Sequence, residues 1–352
     1  MPIDHRSRHI PVEARRDFLV EMNDTLKKPE SLQSHGDSLT ESNCGGHHFS
    51  EAAASNLALQ RVLSGRDGLL ASIPSIPSVL QSLLNELDQS VDAVNLFRVA
   101  EIVGRDEALA VQCLRMANSA LFSCSPTTHS LRDAVCTLGT ARIRDIALSC
   151  SMMRIVPASK GTLDPLVFWQ HSLASAIVAR KLARAVGFGD PDKAYLAGLL
   201  HDIGYIVNLI VLPQETEATM QKSKRDGVFA GKIEYSDLGF THCQTGEILA
   251  HHWHLDDTLL EVILCHHDPA AATHNPALVA IVSLSDRLCR ASDLGLGYAE
   301  TPSPLESCAA EWSLLLEHCP RSADMSWEDF VKESGSYLGE IHKLVVSLCA
   351  RA

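Results

Sequence analysis

Apolar residues recur at three- and four-residue intervals from Val79 to Leu348, and no stretch sustains a two-residue alternation. Val79, Leu80, Leu83, Leu84 and Leu87 set the pattern. It returns in Leu96, Val99, Ala100, Ile102 and Val103, then in Ile177, Val178, Leu182 and Ala185, and again over Leu278 to Leu288. Each run lays one apolar stripe along a helix. The prediction is an all-α fold of many helices, with no strands.

Punctuation supports this reading. Asp92 and Asp106 can open helices, and Ser130 with Asp133 forms a variant capping box before Ala134, Val135 and Leu138. Asp190-Pro191 starts a helix with proline in its first turn. Thr241 can cap the helix that carries His242, and Ile206 to Leu212 is apolar up to Pro213. Residues 1–67 differ: charges of both signs give way to a Ser-, Gly- and His-rich stretch without periodicity, which predicts a flexible extension with His47-His48 in a solvated loop. The expected organisation is that extension, an N-terminal helical half over 68–160, a second helical half over 161–292, and a C-terminal helical extension over 293–352.

Composition narrows the function classes. The chain has 352 residues, 46% of them hydrophobic, and a net charge of −13. An acidic chain is a poor non-specific ligand for nucleic acid or an anionic membrane. The helix–glycine–helix of Ala134 to Leu148 therefore reads as bundle packing, with Arg142 and Arg144 as its basic residues, and not as a DNA reader. The first 20 residues lack the apolar core of a signal peptide, and no apolar run is expected to reach the roughly 18 residues of a membrane span. The eleven cysteines include no Cys-x-x-Cys pair and sit mostly in apolar stretches, such as Cys113, Cys136, Cys150 and Cys289. Free thiols in a reducing cytoplasm are expected.

The chemistry-bearing feature is His201-Asp202, at the end of the apolar stretch Ala197 to Leu200 and followed by Ile203-Gly204. An imidazole beside a carboxylate at a buried helix end suits a hard-to-borderline divalent metal. His171 lies upstream, and His242, His266, His267 and Asp286 lie downstream. Taken alone, His171 is equally compatible with a core histidine bonded to a carbonyl, and Asp286 with a capping or ion-pairing role. On a continuing helix His266 and His267 would point about 100° apart, so one of them could face solvent. His251, His252 and His254 are expected at the surface.

Several phrases appear in a fixed order: Ile76-Pro77, Met116 to Leu121, Ala134 to Gly139, Trp169-Gln-His171, Leu199 to Gly204, Leu238 to His242, Gly246 to Trp253, and His266 to Pro269. In this order the chain from about 69 to 290 resembles the HDOD branch of the HD superfamily, relatives of the HD-GYP cyclic-dinucleotide phosphodiesterases. The resemblance implies a helical HD-superfamily-like domain with an N-terminal helical subdomain, in a bacterial signalling setting. It assigns His171, His201, Asp202 and Asp286 to one divalent metal (Fe, Mn, Zn or Mg). It gives His242, His266 and His267 to a second, with Asp202 between them.

Two departures weigh against turnover. Tyr205 stands where HD-GYP enzymes usually carry a lysine, and Asp268-Pro-Ala follows His266-His267 in place of a Gly-Tyr-Pro signature. A tyrosine cannot replace a cation at a phosphate. Arg180, Lys181, Arg184 and Arg287 are candidates for phosphate contact, or else solvated surface residues. The expected role is regulatory, through signalling protein partners. The alternative is a phosphohydrolase or phosphodiesterase acting on a cyclic dinucleotide or nucleotide, with His201 and Asp202 catalytic.

Overall fold

The computed structural model describes residues 78, 81–82, 96–105, 107–119, 129–153, 164–296, 308–319 and 325–349. The expected 1–67 extension, His47-His48, and the caps at Asp92 and Asp106 lie outside them. Every regular element among the described residues is helical. The four described N-terminal helices are α1 (Leu96–Gly104), α2 (Glu107–Ala117), α3 (Leu131–Leu138) and α4 (Thr140–Met153), and they pack on one another. Ser130 caps α3 as expected, its Oγ accepting from the Asp133 N–H at 3.0 Å. The Ser130 hydroxyl in turn donates to Asp133 Oδ2, at 2.6 Å. Gly139 joins α3 to α4 at φ 79°, a left-handed turn suited to glycine. Ala134, Ile143, Ile146, Ala147 and Leu148 are buried, so this helix pair spends its apolar face on the core.

Next come α5 (Pro165–Val186), α6 (Pro191–Leu200), α7 (Gly204–Val211), α8 (Pro213–Asp226) and α9 (Ala230–Leu238). After them come α10 (His242–His252), α11 (Asp257–Cys265), a 3-10 turn (Pro269–Ala271) and α12 (Pro276–Ala291). Long α5 is the spine: α6, α12 and α14 (Trp327–Cys349) all pack along it, and α13 (Ala309–His318) lies against α12. Asp190 caps α6 through the Lys193 N–H at 2.9 Å, as the Asp-Pro pair predicts. The helix expected to stop at Pro213 does so, but that proline also opens α8 at its first turn.

Two close approaches require glycine. A Cβ on Gly198 would lie 2.8 Å from the Ser175 carbonyl oxygen, so α6 crosses α5 backbone to backbone. A Cβ on Gly204 would lie 1.7 Å from the His242 carbonyl oxygen, so the start of α7 abuts the start of α10. The glycine of the His-Asp-Ile-Gly phrase therefore sets how near α10 can come to the His-Asp turn.

One sequence expectation needs correcting. Pro191–Val211 is long and apolar enough to cross a membrane by length and composition, with a mean hydropathy of 1.5 over its window. That window is 94% buried inside the protein, and the turn at His201 to Ile203 divides it into α6 and α7. It is core.

Candidate metal centre

The seven singled-out residues converge from five places. His171 projects from the second turn of α5, and His201 and Asp202 sit at the end of α6. His242 is the first residue of α10. His266 and His267 follow the last turn of α11, and Asp286 lies on α12. Because α11 ends at Cys265, the pair escapes continuous helical geometry. Both rings turn inward, with centroids 4.0 Å apart.

The donor atoms form two groups around Asp202. On one side His171 Nε2 lies 3.4 Å from Asp202 Oδ2, 3.1 Å from Asp286 Oδ1 and 3.3 Å from His201 Nε2. His201 Nε2 is 3.2 Å from the same Asp202 oxygen. On the other side His242 Nε2 and His266 Nε2 each lie 3.4 Å from Asp202 Oδ1, and His267 Nε2 lies 3.0 Å from His242 Nε2. The two oxygens of one carboxylate thus divide between two sets of imidazoles.

The outer nitrogens explain why the inner ones face each other. His171 Nδ1 donates to the Leu294 carbonyl at 2.9 Å, and His201 Nδ1 to that of Gly198 at 2.8 Å. His266 Nδ1 donates to the Ile263 carbonyl at 3.1 Å. His242 Nδ1 donates to Glu234 Oε2 at 2.7 Å. Each anchor occupies the Nδ1 proton and leaves the Nε2 lone pair pointing inward, the usual arrangement behind a metal-ligating imidazole. Both Asp202 oxygens and His266 Nε2 are buried without a hydrogen-bond partner. Lone pairs this close, and this dry, need positive charge between them. A divalent cation fits that requirement and this donor set.

Without a metal, protons supply the charge. Burial opposes a charged His171, but the Asp202 and Asp286 carboxylates prevail and raise it to about 9. His201 goes up to about 10 on the same balance, with Asp202 the strongest support. Asp202 and Asp286 are held well below the usual carboxylate range despite burial, chiefly by His201 and by Arg290 respectively. Burial pushes His266 and His267 down. A bound metal would displace the shared protons, so its affinity would weaken as pH falls.

Access is narrow. His171, His201 and His266 are 0% exposed, and only His267 among the seven is part-exposed. The Tyr205 ring is buried and stacks on His242, 15° from parallel with centroids 4.2 Å apart. Phe229 meets the His267 ring edge-on at 4.8 Å. Three of the four candidate phosphate contacts are engaged elsewhere, and Arg184 is exposed on α5. Arg180 is buried, ion-paired with Asp145 and 3.4 Å from Asp192, and lies over the Tyr195 ring. Lys181 lies over the Tyr337 ring, and Arg287 pairs with Glu311 at 2.7 Å. His251, His252 and His254 are exposed, as expected.

Sequence reasoning missed three participants. Glu234 stands behind His242, Arg290 holds Asp286 Oδ1 at 2.7 Å, and Cys243 puts its sulfur 3.6 Å from His242 Nε2. The i, i+4 spacing of Asp286 and Arg290 was a usable signal for one of them.

An all-helical domain that gathers a His-Asp turn, further histidines and a distal aspartate around one buried point is an HD-type domain. The family model for the HDOD domain matches residues 73–269, and this chain belongs to that family. A crystal structure of an HDOD domain protein of unknown function from Geobacter sulfurreducens is 28% identical, with a TM-score of 0.74. The match covers 84% of this chain and 99% of that one. A proposed signal transduction protein from Marinobacter aquaeolei VT8, 20% identical, shares the fold at a TM-score of 0.64, over 95% of this chain and 66% of that one. So does a proposed phosphohydrolase from Shewanella amazonensis SB2B, 23% identical, at 0.60, over 80% and 98%. An uncharacterised protein of Treponema pallidum (strain Nichols) is 25% identical over 245 residues. That match takes in 67% of this chain and 45% of the relative, so the chain spans less than half of that curated protein.

Proposed function

We propose that this protein is a cytoplasmic regulatory module that acts through signalling protein partners, with a metal centre that holds its helices together. The ligands are His171, His201, Asp202 and Asp286 on one side of the centre. On the other are His242, His266 and His267, with Asp202 shared. The observation that carries this reading is the burial of the donor set. The histidines are anchored from behind, Tyr205 stacks on His242, and three of the four candidate phosphate cations are engaged elsewhere. Such a centre can grip a metal but its burial leaves a phosphodiester little room, and the cation beside it, Arg290, is already bonded to Asp286. The buried free thiols, from Cys113 to Cys319, support a reducing compartment.

A phosphohydrolase is the second reading, favoured by the division of the Asp202 oxygens between two donor sets. Two metals there would supply an activated water and a clamp for a phosphate. One experiment separates the readings. Full-length protein purified without chelator is analysed for metal, then assayed with cyclic di-GMP after loading with Mn²⁺ or Fe²⁺. We expect bound metal, its loss in Asp202→Ala, and no appreciable hydrolysis. Turnover that vanishes in Asp202→Ala, with an unchanged melting temperature, would install the enzyme reading instead. Metal-free protein that cannot be loaded would remove the centre from both.

A further inference from the structure

We propose that Cys243 is a fourth ligand of the His242–His266–His267 half and biases that half toward zinc. The proposal rests on the metal reading above and extends it to the identity of the ion. No sequence phrase points to Cys243; its place does. Donor atoms of His242, Cys243, His266 and His267 all lie within 4.8 Å of one another. Cys243 Sγ is 3.6 Å from His242 Nε2, and His267 Nε2 is 3.0 Å from the same nitrogen.

The two separations measured from His242 Nε2 are close to the edges of a zinc tetrahedron. Zinc bonds of about 2.3 Å to sulfur and about 2.0 Å to nitrogen set sulfur–nitrogen edges of roughly 3.6 Å and nitrogen–nitrogen edges of roughly 3.3 Å. The two halves also differ in softness. One offers two imidazoles with Asp202 and Asp286, whereas the other offers three imidazoles and a sulfur. Thiolate selects zinc over magnesium or manganese. Cys243 sits in the first turn of α10, where the helix favours negative charge. On binding, the thiol proton leaves to solvent and the thiolate takes the metal.

Three histidines and a cysteine fill a four-coordinate zinc sphere and leave no position for a reacting water, as in structural sites, so Asp202 Oδ1 would then stand 3.4 Å from His242 and His266 as an outer partner of this half and not as its ligand. This half would then serve as a clasp, joining α10 to the end of α11.

Cobalt(II) reports the ligand directly, because a cobalt–thiolate bond gives a near-ultraviolet charge-transfer band. Full-length protein is stripped with chelator and reloaded with Co²⁺ alone. The wild type should show the band. Cys243→Ser should lose it and bind Zn²⁺ at least about tenfold more weakly. Cys265→Ser, which changes a buried neighbouring thiol, should keep it. Cobalt bound without the band, or a band that survives Cys243→Ser, would overturn the proposal and leave the metal centre standing. Failure to take up any cobalt would overturn both. The wild-type spectrum decides without any variant, so misfolding of Cys243→Ser cannot shield the idea.

Discussion

Glu234 holds His242 by two bonds to a single oxygen: Oε2 accepts the backbone N–H at 2.9 Å and the ring Nδ1–H at 2.7 Å. The carboxylate thereby fixes both where α10 begins and which imidazole nitrogen faces Asp202. Burial disfavours a charged His242, yet Glu234 lifts it well above the usual histidine value. A more basic imidazole is a stronger ligand.

Glu234→Gln should therefore weaken metal binding about 10–100-fold while leaving the helices in place. Competition titration against a chromophoric chelator, with circular dichroism as the control, measures it. An unchanged affinity would make Glu234 a capping residue only.

Gly204→Ala inserts a methyl where the His242 carbonyl already stands. Overpacking at backbone cannot be relieved by a rotamer change, so we expect a loss of about 3 kcal/mol or more in urea unfolding. Metal content should drop in parallel, because α10 must retreat from the His-Asp turn.

Arg180 and Asp145 tie α5 to α4 across a buried ion pair. Arg180→Ala removes the ion-pair partner of a buried carboxylate and should cost about 3–5 kcal/mol. An Arg180→Met, Asp145→Leu double variant should recover most of that loss. A loss of ligand binding without loss of stability in Arg180→Ala would instead return the residue to the phosphate contacts that its sequence suggests.

Glu261 gives a pH signature. Its carboxylate accepts the N–H groups of Thr273, His274 and Asn275 at 2.6, 2.8 and 2.7 Å, fixing the loop that leads into α12 and Asp286. Burial opposes the charge, but these three bonds prevail and lower its pKa below 4.5. A lowered carboxylate stabilises the fold above its unfolded value and ceases to do so as pH falls through the folded one. Glu261→Gln should thus cost about 1–3 kcal/mol at neutral pH. The gap to wild type should begin to narrow as pH drops below about 4.5 and should close below the folded value.

The parts legible in the sequence are those governed by local rules. Helical spacing exposed α5, α10, α11 and α12, and Asp190 and Thr241 stand at the helix starts they were expected to mark. Gln244 completes the second of these, accepting the Thr241 N–H at 2.9 Å. The convergence of seven donors followed from their order in a resembling family, since nothing in their spacing could show it. What escaped is non-local or polar. Helix α8 buries Thr216, Thr219, Met220 and Ser223, a face with almost no hydrophobic signal. Helix α9 is short, and with it went Glu234. Arg180 reads as a surface cation until α4 brings Asp145 against it.

The anchors behind the histidines have a consequence for how the chain moves. Leu294, Gly198, Glu234 and Ile263 lie on different segments, and each fixes a ring that meets the others at Asp202. None of these segments can open alone without dragging an imidazole out of register with its neighbours. In hydrogen exchange, amides on α5, α6, α10 and α11 near the rings should exchange together as one slow unit, rather than helix by helix.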